Sequence, residues 1–245
     1  MLSVRAYLQL LRPANVVTAL ADILAGGAIA TGRLAPSPAL LVSTACLYAG
    51  GVVLNDYFDR GLDAVERPER PIPSGRVTPQ RAFLLGSALM WAGVVFAFVT
   101  NVTAGAVASA IMVAVLAYDW RAKLSAVVGP PTMGLCRGLN LMLGMAVAPD
   151  TLGQHVWIAL IPFAYIWSVT ALSRSEVHGG RVPLIWRPFV RPTPASIRKV
   201  VRAGVLGLIV LDAAFATIYA GPLAGLAVLA LMPVALGLAR LFAVT

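Results

Sequence analysis

Apolar runs, each close to the length that crosses a bilayer, follow one another along this chain with short polar breaks between them. Runs suited to spanning helices lie near residues 13–32, 37–57, 79–100, 103–120, 127–148, 154–177, 196–219 and 221–244, because about 20 apolar residues in a helix cover the hydrocarbon slab. The pattern predicts an all-α, polytopic membrane bundle of eight helices, in one domain over residues 1–245. The second, fifth and sixth runs contain polar residues and the seventh contains Asp212. Those helices are expected to surround something polar, since lipid offers such groups no partner.

Composition strengthens this picture. With 59% hydrophobic and 12% charged residues and a mean hydropathy of +0.85, a soluble globule would have nowhere to put its apolar surface. A net charge of +9 suggests nucleic acid in a soluble protein, but here the basic residues follow the loops. With the N-terminus in the cytoplasm, seventeen of the nineteen Lys and Arg fall on the inner side, leaving Arg33 outside and Arg137 within a span. This asymmetry predicts both termini inside and no nucleic-acid partner. Cys46 and Cys136 fall inside spans with neither metal-ligand nor CxxC spacing, so no disulfide is expected. The first apolar run is expected to be a retained span rather than a signal peptide.

The candidate chemistry begins where the second run ends. At 100° per residue, Asn55, Asp56, Asp59 and Asp63 share one arc of about 100° on a helix, so three carboxylates crowd one face at the edge of a low-dielectric slab. Their repulsion calls for a cation, and Mg²⁺ fits because it takes one or two carboxylates and completes its shell with water or phosphate oxygens. The plainer reading is a solvated acidic helix end. Prolines at 68, 71 and 73 stop this helix by about Arg67 and make a stiff arm of the segment after it. Arg67, Arg70 and Arg76 on that arm can lean back over the carboxylates or meet an anionic ligand, or they simply set topology. A second long loop, 174–195, is also basic and proline-rich.

A basic rim beside an acidic, cation-binding mouth suits a diphosphate. Tyr118, Arg121 and Lys123 close the fourth run on the same side, although a snorkelling Arg121 would look alike. Arg137 lies deep in the fifth run and must face inward. Asn140 shares its face, and Gly134 and Gly138 form a small-xxx-small pair for close helix approach. The alternative for Arg137 is a buried ion pair with Asp22 or Asp212. At the end of the sixth run Glu176 is a candidate metal ligand, while His178 points elsewhere on a helix.

Asn55-Asp56-x-x-Asp59-x-x-x-Asp63 followed by Arg70-Pro71-Ile72-Pro73-Ser74-Gly75-Arg76 resembles the first signature of the UbiA superfamily of intramembrane prenyltransferases, and Arg12-Pro13 and the Tyr118 to Lys123 segment extend the likeness. The stretches from Ser173 to Gly180 and Cys136 to Asn140 are similar to its divergent bacterial, EboC-like branch. The resemblance implies a Mg²⁺-dependent enzyme that moves a polyprenyl group from a polyprenyl diphosphate to an unidentified acceptor, in contact with membrane lipids and facing the cytoplasm of a bacterial inner membrane. It implies that Asn55, Asp56, Asp59 and Asp63, with Glu176, hold metal. Arg70, Arg76, Tyr118, Lys123, Arg137, Asn140 and Arg174 would hold the diphosphate, and Asn55, Asp59, Lys123, Arg137 and Glu176 would serve catalysis. Two departures stand out. The family's second Asp-rich motif is reduced here to Ser173, Glu176 and Gly180, with Arg174 a partial substitute for metal charge, and members commonly have nine spans. A non-catalytic binder of prenyl diphosphates is the first alternative, and a transporter the second.

Overall fold

The computed structural model describes residues 4–177 and 194–242, and among these there are helices and turns but no strands. A short helix α1 (Val4–Leu11) precedes α2 (Pro13–Thr31), α3 (Pro38–Phe58), α4 (Arg60–Glu66), α5 (Pro79–Thr100) and α6 (Val102–Trp120). Then come α7 (Gly129–Met145), α8 (Pro149–His155), α9 (Leu160–Val177), α10 (Pro194–Ala220), α11 (Pro222–Leu229) and α12 (Leu231–Leu241). Several begin with proline in the first turn, whose missing N–H costs nothing there. Ser37, Thr78 and Asn101 cap α3, α5 and α6 by accepting a backbone N–H.

Among the described residues seven stretches are long and apolar enough to cross a membrane, and their outward faces carry large apolar residues such as Trp91, Phe98, Val113 and Leu223. The protein is a multi-pass membrane protein. The fifth predicted span, α7, is shorter at 17 residues and carries Arg137 and Asn140. It packs against α2, α6 and α9 in the interior. Two predicted spans are interrupted rather than continuous. The run near 154–177 divides into α8, a 3₁₀ turn (Val156–Ala159) and α9, where Pro162 leaves the Ile158 carbonyl without its helical donor. The last run divides at Ala230 into α11 and α12, where Pro233 does the same to Leu229.

Small residues bring the backbones together. A Cβ on Gly26 would fall 2.3 Å from the Leu141 carbonyl oxygen, and one on Gly144 2.7 Å from that of Ile23. Helices α2 and α7 therefore touch main chain to main chain. Gly134 and Gly138, expected to admit a neighbour, meet the carbonyls of Phe163 on α9 and Ala159 on the 3₁₀ turn before it, with Cβ positions 2.5 and 2.9 Å away. At one end of the bundle α1 buries Ala6 and Leu10 against Val53 of α3 and Ile72, Val77 and Ala82. This apolar cluster seats the proline-rich arm against the end of α3.

A candidate anion and metal site at one end of a membrane cavity

Helix α3 does not run smoothly through the acidic segment. It ends at Phe58, Asp59 lies at the junction with φ −83° and ψ 0°, and α4 resumes at Arg60. The i to i−4 pattern nevertheless persists: Asp59 N–H donates to the Asn55 carbonyl at 2.9 Å and Asp63 N–H to that of Asp59 at 2.8 Å. The bend preserves one acidic face. Helix α4 ends at Glu66, where the prolines require it to.

Each carboxylate on that face has met a cation. Arg70, on the stiff arm, donates to Asp63 Oδ2 at 2.7 Å and reaches Asp56 Oδ1 at 3.4 Å. Arg12 pairs with the same Asp56 oxygen from the junction of α1 and α2. Its backbone sits in the left-handed region at φ 47° and ψ 60°, a conformation that costs a non-glycine residue about 1–2 kcal/mol. Lys123, on the 3₁₀ turn (Ala122–Leu124) after α6, stands 2.6 Å from Asp59 Oδ1 and 3.2 Å from Asn55 Oδ1.

These pairings decide how the site fits a metal. Among the described residues no three acidic, His or Cys side chains converge closely enough to hold one. The oxygen donors are nonetheless hard, as Mg²⁺ prefers, and the Lys123 ammonium occupies a position between Asn55 and Asp59 where a cation is stabilised by both. Asn55 and Asp59 fit a metal that keeps most of its shell as water or phosphate oxygens, once Lys123 turns to a phosphate, whereas Asp56 and Asp63 are paired with Arg12 and Arg70.

Asn55 also faces a cavity of about 420 Å³ walled by α2, α3, α6, α7, α9 and α10. Arg12, Asn15, Tyr118 and Asp119 make part of its lining polar, while residues such as Leu47, Ile111, Val115, Ile166 and Leu208 make most of it apolar. A volume of this size suits a drug-sized or lipid-like ligand.

Other expected site residues are placed differently. Arg137 and Asn140 line the cavity, but their polar atoms are committed to α2 and α3. Arg137 Nε lies 2.8 Å from Asp22 Oδ2, without the alignment of a hydrogen bond, and Nη2 donates to the Thr18 carbonyl at 2.5 Å. Asn140 donates to Asp22 Oδ2 at 2.7 Å and to the Ala19 carbonyl at 3.0 Å, and accepts from the Thr44 hydroxyl at 2.6 Å. Asp212, wholly buried on α10, puts a second carboxyl beside Asp22. Arg137 thus sits in an internal polar cluster, where a lone buried charge would cost several kcal/mol. Arg76 turns away from the acidic face to Gln9, Ser74 and the Glu69 carbonyl. Arg174 donates to the Lys123 carbonyl at 2.7 Å and reaches that of Leu124 at 3.4 Å, so it holds the turn that carries Lys123. The side chain of Glu176 lies outside the described residues, as do His178 and Gly180. Arg12 and Asp119 were not among the expected site residues. The Arg12-Pro13 step, where one helix must stop and another start, marked the first, and an acidic residue at the end of an apolar run marked the second.

Comparison with known proteins gives three kinds of likeness. A sequence model of the UbiA prenyltransferase family matches residues 19–245. The chain is 38% identical over 160 residues to digeranylgeranylglyceryl phosphate synthase from Methanopyrus kandleri, a stretch that is 65% of this chain and 59% of that protein. It is 36% identical over 140 residues to the synthase of the same name from Methanothermobacter thermautotrophicus, 56% of this chain and 49% of that one. The chain therefore spans less than two thirds of these relatives' length. Among solved structures, one described as giving insights into digeranylgeranylglyceryl phosphate synthase in membranes superimposes with TM-score 0.61 at 18% identity, over 99% of this chain and 98% of that one. A UbiA homologue from Archaeoglobus fulgidus bound to DMAPP and Mg²⁺ gives 0.53 at 17% identity, over 93% and 86%. At such identities the likeness is one of fold.

Proposed function

The chain belongs to the UbiA prenyltransferase family, and on that premise we propose that it transfers a polyprenyl group from a prenyl diphosphate to the hydroxyl of a glyceryl phosphate-type acceptor. The observation that carries this reading is the joining of two environments at Asn55. One side of that residue is the cluster of Asp59 and Lys123, and the other is a largely apolar cavity. A prenyl diphosphate has the same division, a charged head and a hydrocarbon tail. The acceptor class is supported by the names of the relatives at 36–38% identity.

In this reading Asn55 and Asp59, with Asp56 and Asp63 beside them, would hold Mg²⁺, and a bound ion would supply charge neutralisation at the diphosphate. Lys123 exchanges its carboxylate and amide partners for phosphate oxygens. Arg70 and Arg12 keep Asp56 and Asp63 oriented, and Arg174 keeps the Lys123 turn in register. The apolar wall excludes water, which protects an activated allylic centre from hydrolysis and strengthens the charge interactions around it. The inward bias of Lys and Arg in the loops supports a cytoplasmic position for the acidic mouth.

The test is product formation by purified protein in lipid nanodiscs. A labelled long-chain prenyl diphosphate, Mg²⁺ and glyceryl phosphate-type alcohols should give a prenyl ether, and Asp59→Ala should abolish it. Mg²⁺-dependent binding of the diphosphate with no product from any acceptor would make the chain a binding protein instead.

A further inference from the structure

Among the described residues the cavity wall contains one carboxylate, Asp119, and the acidic face of α3 and α4 makes no use of it. Asp119 is 3% exposed at the end of α6, and its Oδ2 has no hydrogen-bond partner among the described residues. Lys123, one helical turn further on, has its ammonium within ion-pair distance of Asp59 and not of Asp119. A buried carboxylate left in this condition costs free energy that a partner on a ligand would offset.

Three kinds of partner can be compared. A diphosphate oxygen is an anion, which the ionised carboxylate would repel. A metal would need neighbouring ligands, and no such grouping forms around Asp119 among the described residues. A hydroxyl brings a donor without bringing charge at the point of contact, and a group-transfer cavity must hold one if the acceptor is an alcohol.

Resting on the prenyl-transfer reading, we infer that Asp119 binds the acceptor's hydroxyl group and receives its proton during transfer. The allylic C1–O bond of the donor breaks with its electron pair leaving on the diphosphate. The acceptor oxygen forms the new C1–O bond, and its proton passes to Asp119 Oδ2. The step runs from the ionised carboxylate and its charges balance: Asp119 becomes neutral as the diphosphate, received by Lys123, gains a negative charge. Tyr118 and Ser173, whose hydroxyls share the lining, are far weaker bases.

Asp119 makes no hydrogen bond through Oδ2 that the fold depends on, and Asp119→Asn keeps size and shape. In nanodiscs, the full chain and its Asp119→Asn and Asp119→Glu variants are compared by calorimetry with a non-reacting thiolodiphosphate analogue of the donor plus Mg²⁺. Steady-state transfer is then measured to an aliphatic glycerol-type alcohol and to a phenol. The expected result for Asp119→Asn is analogue affinity within about twofold of wild type but kcat for the aliphatic alcohol lower by about 10²-fold or more, the usual contribution of a positioned base. The defect should shrink with the phenol, whose proton leaves more easily, and Asp119→Glu should recover part of the rate. Wild-type transfer by Asp119→Asn overturns the inference, and so does a matching loss of analogue binding, which would place Asp119 with the metal and diphosphate. An absence of product from the wild-type chain overturns the prenyl-transfer reading and this inference with it.

Discussion

Lys123 Nζ lies 2.6 Å from Asp59 Oδ1, and because it also reaches Asn55 Oδ1 at 3.2 Å, one ammonium bridges two of the oxygens that the acidic helix end offers to a metal. Lysine and metal therefore compete for the same oxygens until a diphosphate draws the lysine away. Replacing Lys123 with Met should affect two affinities in opposite directions. Prenyl diphosphate binding should weaken by about 10- to 100-fold, the equivalent of a hydrogen bond between charged groups. Mg²⁺ affinity without diphosphate should hold or rise, because the competing cation is gone. Asp59→Asn should weaken both. Titration calorimetry with and without the diphosphate separates these cases, and a fall in Mg²⁺ affinity in Lys123→Met would refute the competition.

The buried pair of Arg137 and Asp22 belongs to the interior rather than to the mouth. Arg137→Met leaves the Asp22 carboxylate buried with Asn140 and a second carboxyl, Asp212, beside it, and breaking such a pair from one side costs about 3–5 kcal/mol. Asp22→Asn strands the guanidinium in the same way. The double variant Arg137→Met with Asp22→Asn removes both charges and should be less destabilised than the sum of the single changes. Thermal unfolding in detergent, followed by tryptophan fluorescence, reads the difference. Additive losses would mean that the two residues do not act as a pair.

The acidic face was readable because charges at the end of an apolar run are anomalous under any fold, and the prolines after it fixed where its helix must end. Arg70 could be expected to lean back, since a stiff arm has few directions available. Arg76, on the same arm, could not be distinguished from it until the position of Gln9 on α1 was known. Arg137 demanded a partner, but choosing Asp22 over Asp212 required the close approach of α2 and α7 that Gly26 and Gly144 allow. Asp119 carried the same anomaly as a single charge at the end of an apolar run, but sequence carries no measure of what faces a side chain. Pro162 and Pro233 were present in the runs near 154–177 and 221–244, yet hydropathy averages over breaks that a single missing N–H creates.

Arg174 donates to the main chain of the turn that carries Lys123. Its guanidinium holds the carbonyls of Lys123 and Leu124, so Arg174→Ala should loosen the turn without removing a phosphate contact. The expected result is a rise in KM for the prenyl diphosphate of several-fold with kcat less affected, and partial rescue by Arg174→Lys, which can still donate to one carbonyl. If Arg174 instead holds the diphosphate directly, Arg174→Ala should resemble Lys123→Met in calorimetry. Loss of affinity as large as that of Lys123→Met would rule out a positioning role.

Two glycines on different helices provide a contrast in packing. A Cβ on Gly26 would lie 2.3 Å from the Leu141 carbonyl oxygen and 2.8 Å from the Met145 nitrogen, both main-chain atoms, whereas nothing lies within 4 Å of one on Gly61 in α4. Backbone cannot yield as a side chain can, so Gly26→Ala must push α2 away from α7. That displacement also strains the contact between Arg137 and Thr18, since the two residues join the same pair of helices. Overpacking of this kind costs about 1–3 kcal/mol or more. Gly61→Ala has open space and restricts the unfolded chain, so it should be neutral or stabilising by up to about 1 kcal/mol. The melting midpoint of Gly26→Ala should therefore fall below the wild-type value in the same detergent, and that of Gly61→Ala should equal or exceed it. Equal destabilisation by both would show that the α2 and α7 backbones are not in contact.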